Sequence, residues 1–443
     1  MVFDTTILGS NPSAPAKKMK LTFFKINIFL KIKNIIFPFY RSKEILKIFN
    51  VLQKGYPKNK KIAMFVGGCV RKYILNEKID DIDIATVLTP EEIKIKFNGT
   101  EVRIIETGIE HGSVTLLIND KKFEITTLRK DVKTYGRHAE VNFVDDWKTD
   151  SERRDFTINS IYMDIKGNFF DPQSGINDLK NNNIKFIGDP EKRINEDYLR
   201  IIRFVRFSLQ YSQNEINLNA IEAIKTNLNG IKNLSKERIL NELYKIFKLT
   251  NLENILNLKD LKEIFLLIFP ELTNIERLSR ITILRKKKII RCNKKFILTI
   301  LLVDESNNFE YFCHKYKVSN EIKNNLIFFS DALKNMKLDK DFFKINLIKN
   351  LYLIGKNKMT ELACFSFSIN NKINIIELKK IVSSIKETHV PKFPYSGEYL
   401  IKSGLSEGKK IGETLKELEI EWLRNNFSVS KEKITSIIKK AKN

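Results

Sequence analysis

The stretch that decides the fold runs from Gly67-Gly68-Cys69-Val70-Arg71 to Asp81-Ile82-Asp83. Around the second motif Ile79, Ile82 and Ile84 alternate with Asp81, Asp83 and Ala85. That spacing predicts a strand, in which residues i and i+2 point to the same face. Asp81 and Asp83 are therefore expected side by side. Two carboxylates so close repel each other unless a cation lies between them. Oxygen-only donors of this kind suit Mg²⁺, which one or two carboxylates hold together with substrate phosphates. Upstream, Phe65-Val66 ends an apolar run, Gly67-Gly68 makes a turn, and Val70 to Leu75 reads as a helix. Backbone N–H groups at such a helix start favour a triphosphate, with Arg71 close by. Taken singly, Asp-x-Asp also describes a solvated strand end, and Gly-Gly describes many turns. Their order and spacing together point to nucleotide chemistry.

The 443-residue chain is long enough for two to four domains, and its 42% hydrophobic content can support real cores. Cys69, Cys292, Cys313 and Cys364 are scattered, with no Cys-x-x-Cys. This argues against a disulfide framework or a zinc site and for a reducing compartment. The four histidines are equally dispersed. A net charge of +25 suits a polyanionic partner such as nucleic acid. Lys, Ile and Asn are abundant throughout, however, as an AT-rich genome would produce by codon usage alone. The apolar stretch Leu21 to Tyr40 is interrupted by Lys25, Lys31, Lys33 and Asn34, so no membrane span is expected. It reads as an amphipathic helix packed on the first domain. Residues 1–18 are turn-rich and unlike the rest; an extension is expected there, with the start at Met19.

From Ile62 to about Met163 short strands mix with helices. Val114–Ile118 and Phe123–Leu128 flank the turn-prone Asn119 to Lys122 and predict a hairpin. Phe123 and Ile125 face one way and Glu124 the other, so Glu124 can join Asp81 and Asp83 as a third carboxylate; a solvent-facing strand residue has the same pattern. Beyond Asp189 the periodicity is helical almost to the end, with one helix over Asn195–Ser208, another over Ser235–Leu249, and breaks near Asn251, Pro270 and Pro391–Pro394. The loop from Asp131 to Asp150 lacks the apolar periodicity of a packed element and reads as a mobile lever.

Further motifs follow in a fixed order: Arg153-Arg154-Asp155-Phe156-Thr157-Ile158-Asn159-Ser160, then Asp171 to Leu179, then Glu196-Asp197-Tyr198-Leu199-Arg200-Ile201-Ile202-Arg203, then Leu234-Ser235-Lys236-Glu237-Arg238-Ile239. With the glycine and aspartate motifs, this series resembles the class II tRNA nucleotidyltransferases and their bacterial poly(A) polymerase relatives, within the DNA polymerase β-like superfamily. The resemblance covers Ile62 to Leu249. More weakly, Gly397, Gly404-Leu405, Gly408 and Ile411-Gly412 match the tail of the CCA-adding branch. It implies an α+β fold: a nucleotidyltransferase head with a small mixed β-sheet (19–165), a nucleotide-recognition neck (166–250) and an all-helical body and tail that bind tRNA (251–443). It implies that Asp81 and Asp83 bind Mg²⁺, that Gly67, Gly68, Arg71, Arg153, Arg154 and Arg203 lie near the triphosphate, and that Asp155 and Asn159 contact the ribose 2′-OH. Asp197 and Arg200 match the pair that reads the base, and Glu196 the residue that orients that arginine. Lys72 stands where many members carry Asp, which makes the surroundings of the triphosphate more positive.

The base reader can also be argued from chemistry. On one helix, Asp197 and Arg200 are i and i+3 and share a face. Asp accepts hydrogen bonds and Arg donates them. Cytosine and adenine each offer a donor beside an acceptor, so one pair fits both. Uracil and guanine present the reverse order, and each mispairing leaves polar groups unsatisfied at about 1–3 kcal/mol apiece. Glu196, Arg200 and Arg203 also read as ordinary ion pairs on a surface helix. The expected activity is addition of C, C and A to tRNA lacking all or part of its 3′ CCA, using CTP and ATP, in a bacterial cytoplasm rather than a mitochondrion. The rivals are a poly(A) polymerase, a CC-only or A-only enzyme, and a non-catalytic RNA-binding protein. Glu106 to Ser113 lacks the Gly-Arg-Arg-Phe-like segment of the poly(A) branch, and the loop from Asp131 to Asp150 is full length. No protein partner is indicated.

Overall fold

The computed structural model describes residues 38–106, 108–109, 112–135, 138–212 and 216–442, with side chains left out over 132–140. The extension over 1–18 and all but the last three residues of the apolar stretch 21–40 lie outside these. The chain forms two compact units. One holds the described residues up to Leu243 together with Glu263–Ile268; the other holds Tyr244–Lys262 and Phe269–Asn443.

The first unit is built on a seven-stranded sheet, ordered β3 (Arg103–Ile105), β4 (Ser113–Ile118), β5 (Lys121–Thr127), β2 (Asp83–Thr86), β1 (Ala63–Val66), β8 (Tyr162–Met163) and β9 (Phe169–Phe170). β2 and β5 run parallel and the other neighbours antiparallel, so the sheet is mixed as expected. All four residues of β1 are buried, because both faces of the sheet are covered there. On one face Phe65, Ile84, Phe123 and Ile125 pack against Ile45, Ile48 and Leu52 of helix Lys43–Gln53 and Ile93 and Phe97 of helix Pro90–Phe97. The latter helix starts with Pro at its first turn and a Thr89–Glu92 capping box. Met64, Val66, Ala85 and Tyr162 form a smaller apolar layer on the opposite face. Asp83 shares that second face with Ala85, since strand side chains alternate.

The β4–β5 hairpin is present, but its turn is only Asn119 and Asp120, both at positive φ (45° and 61°), as a two-residue type I′ turn requires. Where a loop was expected there is regular structure: β6 (Arg129–Tyr135) and β7 (His138–Phe143) pair as an antiparallel ribbon with an irregularity between Asp131 and Lys133, and helix Trp147–Glu152 follows.

After the ribbon, Asp150 is fully buried. Its Oδ1 accepts from Arg129 N (3.2 Å) and Arg153 Nε (2.8 Å), and its Oδ2 from Arg154 Nη2 (3.0 Å) and Tyr162 Oη (2.7 Å). The motif Asp171 to Leu179 locks the next turn, Thr157–Asn159. Asp171 caps Gly175 N and Ile176 N, Asp178 Oδ2 accepts from Thr157 Oγ1 at 2.7 Å, and Gly175 lies so close that an added Cβ would sit 2.1 Å from Thr157 O.

The helical arm departs from the expected pattern once. Asn195–Ser208 is two helices, Pro190–Glu196 and Leu199–Tyr211, because Asp197 is extended (φ −156°, ψ 104°) and its carboxylate accepts from Leu199 N at 3.1 Å. A short acidic side chain that bonds the backbone ahead starts a new helix instead of prolonging the old one. Helix Lys236–Phe247 matches the expected Ser235–Leu249. In the second unit, helix Lys294–Leu302 is buried along Phe296–Leu302. Past the non-helical 388–396, where the Pro391–Pro394 break was expected, helices Gly397–Lys402, Lys409–Arg424 and Lys431–Lys442 share a small core of Leu400, Leu418, Ile434 and Ile437.

Burial alone would raise the Asp150 carboxyl, but the Arg154 and Arg153 guanidiniums and the Tyr162 hydroxyl outweigh it and hold it well below the usual range. Asp150→Asn leaves two half-buried guanidiniums without their anion and should cost about 3–5 kcal/mol in urea unfolding at pH 7. A depressed folded pKa stabilises above the unfolded value near 4 and ceases to as pH falls, so the wild-type advantage should shrink below about pH 4. A constant difference from pH 7 to pH 3 contradicts this. Gly175→Ala forces the Thr157 carbonyl aside and should cost about 1–3 kcal/mol; an unchanged urea midpoint contradicts that.

Candidate active site

Asp83 opens β2 beside Glu124 of β5, its partner in parallel register. Both carboxylates project from the same face of the sheet, and Phe123 and Ile125 on either side of Glu124 are buried on the other. Asp81 is corrected: it is exposed and precedes the strand, since ladder pairing begins only at Asp83 with Glu124 and at Ile84 with Phe65. It remains near enough to act on Asp83. Burial pushes the Asp83 carboxyl up to about 6, Glu124 and Asp81 add to the rise, and Arg154 and Arg71 oppose it. A partly buried acid flanked by two further acids is a place where a cation would relieve the repulsion. No group of three or more His, Cys, Asp or Glu among the described residues makes a metal cage by itself. The acids brought together here are Asp83 and its strand neighbour Glu124, with Asp81 close enough to act on Asp83. Gly67 takes φ 73° and lies against this carboxylate, 3.7 Å from Asp83 Oδ2 to an added Cβ, and Gly68 starts helix Gly68–Ile74. Lys72 is balanced locally by Asp80 at 3.3 Å.

Arg71 differs from its expected place at an open phosphate site. It is buried, donates from Nε to Tyr211 Oη (3.1 Å) and from Nη1 to Asn159 Oδ1, and lies over the rings of Phe207 and Tyr211. Asn159 in turn donates to Asp155 Oδ1 at 2.9 Å, and Asp155 Oδ2 accepts from Arg203 Nε at 2.7 Å and Nη2 at 2.6 Å. Burial would raise the Asp155 carboxyl; Arg203, Asn159 and Arg200 together hold it well below the carboxylate range. Arg71, Arg203 and Arg206 all face the Phe207 ring, at 4.9, 5.6 and 4.0 Å. Arg153 and Arg154 are turned onto Asp150.

At the helix break, Arg200 Nη1 donates to Glu196 Oε2 (2.6 Å) and Arg193 O (2.8 Å), and Nη2 to Arg153 O (3.4 Å). Glu196 also accepts from Arg193 Nη1 at 2.8 Å, and Arg193 Nη2 donates to Arg154 O at 2.5 Å. The argument from a shared helical face fails, because Asp197 lies outside the helix that carries Arg200. Asp197 Oδ2 instead accepts from Arg238 Nη2 at 2.7 Å, and the Tyr198 ring packs on Gly230. Asp150, Arg193, Tyr211 and the Asp197 partnership of Arg238 were not singled out from sequence. Arg193 stands inside the run from Asp189 to Arg203 and Arg238 inside the last motif, so both carried a positional signal; Asp150 and Tyr211 carried none.

Residues 63–185 match the family described as "Poly A polymerase head domain", and residues 215–276 match "Probable RNA and SrmB- binding site of polymerase A". The chain is 32% identical over 416 residues to the CCA tRNA nucleotidyltransferase 1, mitochondrial, of Danio rerio, covering 90% of this chain and 93% of the relative. It is 30% identical to the CCA-adding enzyme of Lactobacillus johnsonii, covering 92% and 99%. Among solved structures, the Bacillus stearothermophilus CCA-adding enzyme in complex with CTP superposes with a TM-score of 0.70 at 24% identity, covering 90% and 96%. The Thermotoga maritima CCA-adding enzyme complexed with tRNA gives 0.58 at 20%, also covering 90% and 96%. At those identities the structural likeness is one of fold, whereas the relatives matched over nearly their whole length fix the family. The carboxylate pair, the glycine turn and the arginine-held neck therefore sit in a chain that belongs to the CCA-adding tRNA nucleotidyltransferase family.

Proposed function

We infer that the protein adds C, C and A to the 3′ end of tRNA from CTP and ATP, releasing pyrophosphate, without a nucleic-acid template. The observation that carries this reading is the placement of Asp83 and Glu124 against the Gly67 turn, in the unit that also holds Glu196, Asp197 and Arg200. Asp81 and Asp83 would hold divalent ions, Mg²⁺ by their oxygen-only chemistry; these supply Lewis-acid activation of the tRNA 3′-OH and neutralise charge on the leaving phosphates.

The chain's own side chains do the rest. Asn159 is oriented by Arg71 and Asp155 and keeps one amide N–H for a ribose hydroxyl. Arg200 uses three N–H groups on Glu196 and two carbonyls, leaving two for a base acceptor. Asp197 uses one lone pair on Leu199 N and one on Arg238, leaving others for an exocyclic amine. A fixed donor beside a fixed acceptor suits cytosine and adenine and opposes uracil and guanine. All four cysteines are free thiols, which fits a reducing compartment such as a bacterial cytoplasm. Among the described residues no helix is long and apolar enough to cross a membrane.

Incubation with tRNA lacking CCA and each nucleotide in turn tests the reading. CTP alone should give CC, CTP with ATP should give CCA, and UTP or GTP should give nothing. A homopolymeric A tail would identify a poly(A) polymerase instead. Asp81→Asn and Asp83→Asn should each abolish addition while tRNA affinity changes little; a rate within about tenfold of wild type in either contradicts the assignment. Shortening the β6–β7 ribbon within 133–140, with Asp150 to Ser160 intact, should leave CC addition working and remove the terminal A. One donor–acceptor pair must serve two bases of different size, and the ribbon is the element proposed to reshape the pocket. Near-normal A addition by the shortened enzyme to tRNA ending in CC contradicts this role.

A further inference from the structure

The second unit holds a cavity of about 690 Å³ whose walls are residues 244–250 and 285–294. Lys248, Arg285, Lys288, Arg291 and Lys294 line it, and no Asp or Glu does. Lysines elsewhere in this unit are commonly neutralised: Lys315 lies 2.6 Å from Glu271, Lys358 2.5 Å from Glu361, and Lys286 3.6 Å from Glu253. Among the described residues none of the five lining cations forms a salt bridge. Arg285 is fixed, donating from Nη1 to Leu249 O at 2.7 Å and from Nη2 to Phe247 O at 2.6 Å, so it also covers the carbonyl end of helix Lys236–Phe247. The Lys294 ammonium rests 4.4 Å from the centroid of the Tyr244 ring. Both cations are held in place by neutral groups.

Five like charges around one hollow repel, and an anion carrying several charges relieves this where a monovalent ion does so only in part. We propose that this cavity binds consecutive phosphates of the tRNA backbone, an inference that rests on the reading of tRNA as substrate. The lining favours backbone over base recognition. Its cations are mostly on long exposed stems, and its ring Tyr244 already faces Lys294, so no open aromatic platform remains for a base. Contacts of this kind position a nucleic acid without reading its sequence, as an enzyme acting on many tRNAs needs. One wall, residues 244–250, falls within the matched RNA-binding region; the other, 285–294, lies beyond it. A free nucleoside triphosphate offers the same phosphate chemistry, and the experiment separates the two sources.

The test compares full-length wild type with the double variant Lys288→Gln/Arg291→Gln. Affinity for tRNA lacking CCA is measured from low to moderate salt, together with KM for tRNA, KM for CTP and kcat. Each phosphate contact contributes roughly 0.7–0.9 to the slope of log K against log salt, so the double variant should lose roughly 1.5 of that slope. Its KM for tRNA should rise about tenfold near 0.1 M salt, with kcat at saturating tRNA and KM for CTP unchanged. The charge-preserving Lys288→Arg/Arg291→Lys variant should restore the slope, which separates charge from a folding defect. A double variant with wild-type slope and wild-type KM for tRNA overturns the proposal, and so does a change confined to KM for CTP, which would mark a nucleotide subsite. In either case wild-type CCA addition would still stand, so the two readings fail separately.

Discussion

Two carboxylates, the fully buried Asp150 and the largely covered Asp155, hold the candidate site together. Each is largely withdrawn from water, which by itself is costly, and each is held ionised by arginines. Asp150 binds Arg153 and Arg154 just beyond it in the chain, and Asp155 binds Arg203 from helix Leu199–Tyr211. The chain between them is thereby fixed at both ends, and Thr157–Asn159 is fixed from behind by Asp178 and the close approach of Gly175. The arginines consequently have set positions before any nucleotide arrives. Such preorganisation is how a site stabilises developing charge without reorganising during the reaction.

The same fastening reaches Glu196, Arg193 and Arg200. Glu196 bonds both Arg193 and Arg200, and those arginines grip the consecutive carbonyls of Arg154 and Arg153. A shift at Asp150 is therefore felt at Arg200 through the backbone that they share. The broken helix at Asp197 has a use in this arrangement. It frees a carboxylate from the helix barrel and lets Arg238 steady it, while lone pairs remain for a ligand.

Much of this was legible in the sequence where local chemistry decides the outcome. Alternation placed Glu124 opposite Phe123 and Ile125, and Gly67 at positive φ is what a Gly-Gly turn before a helix suggests. Apolar runs delimited the sheet, and the Pro391–Pro394 segment marked the last helical group. What was not legible depends on competition or on distance. Periodicity over Asn195–Ser208 is helical on both sides of Asp197, so the break shows only in the hydrogen bond to Leu199 N. The β6–β7 pairing leaves no apolar alternation in the sequence. Asp150 looks like any loop acid until Tyr162 and two arginines close on it, and Arg71 looks like an open phosphate ligand until Tyr211, 140 residues away, accepts its Nε–H.

The central claim is that protein side chains, aimed by ion pairs, select the incoming base. Glu196 bonds both Arg193 and Arg200, and in the proposed reading it aims the latter. The direct measurement is kcat/KM for CTP and for UTP on tRNA lacking CCA, in wild type and in Glu196→Gln. The account predicts that the amide substitution lowers the CTP-to-UTP ratio by about tenfold or more, corresponding to at least one lost or misdirected hydrogen bond of about 1.5 kcal/mol, with tRNA KM unchanged. A variant that loses rate equally for both nucleotides, with the ratio at its wild-type value, would show that base choice does not pass through Arg200 and would contradict the account.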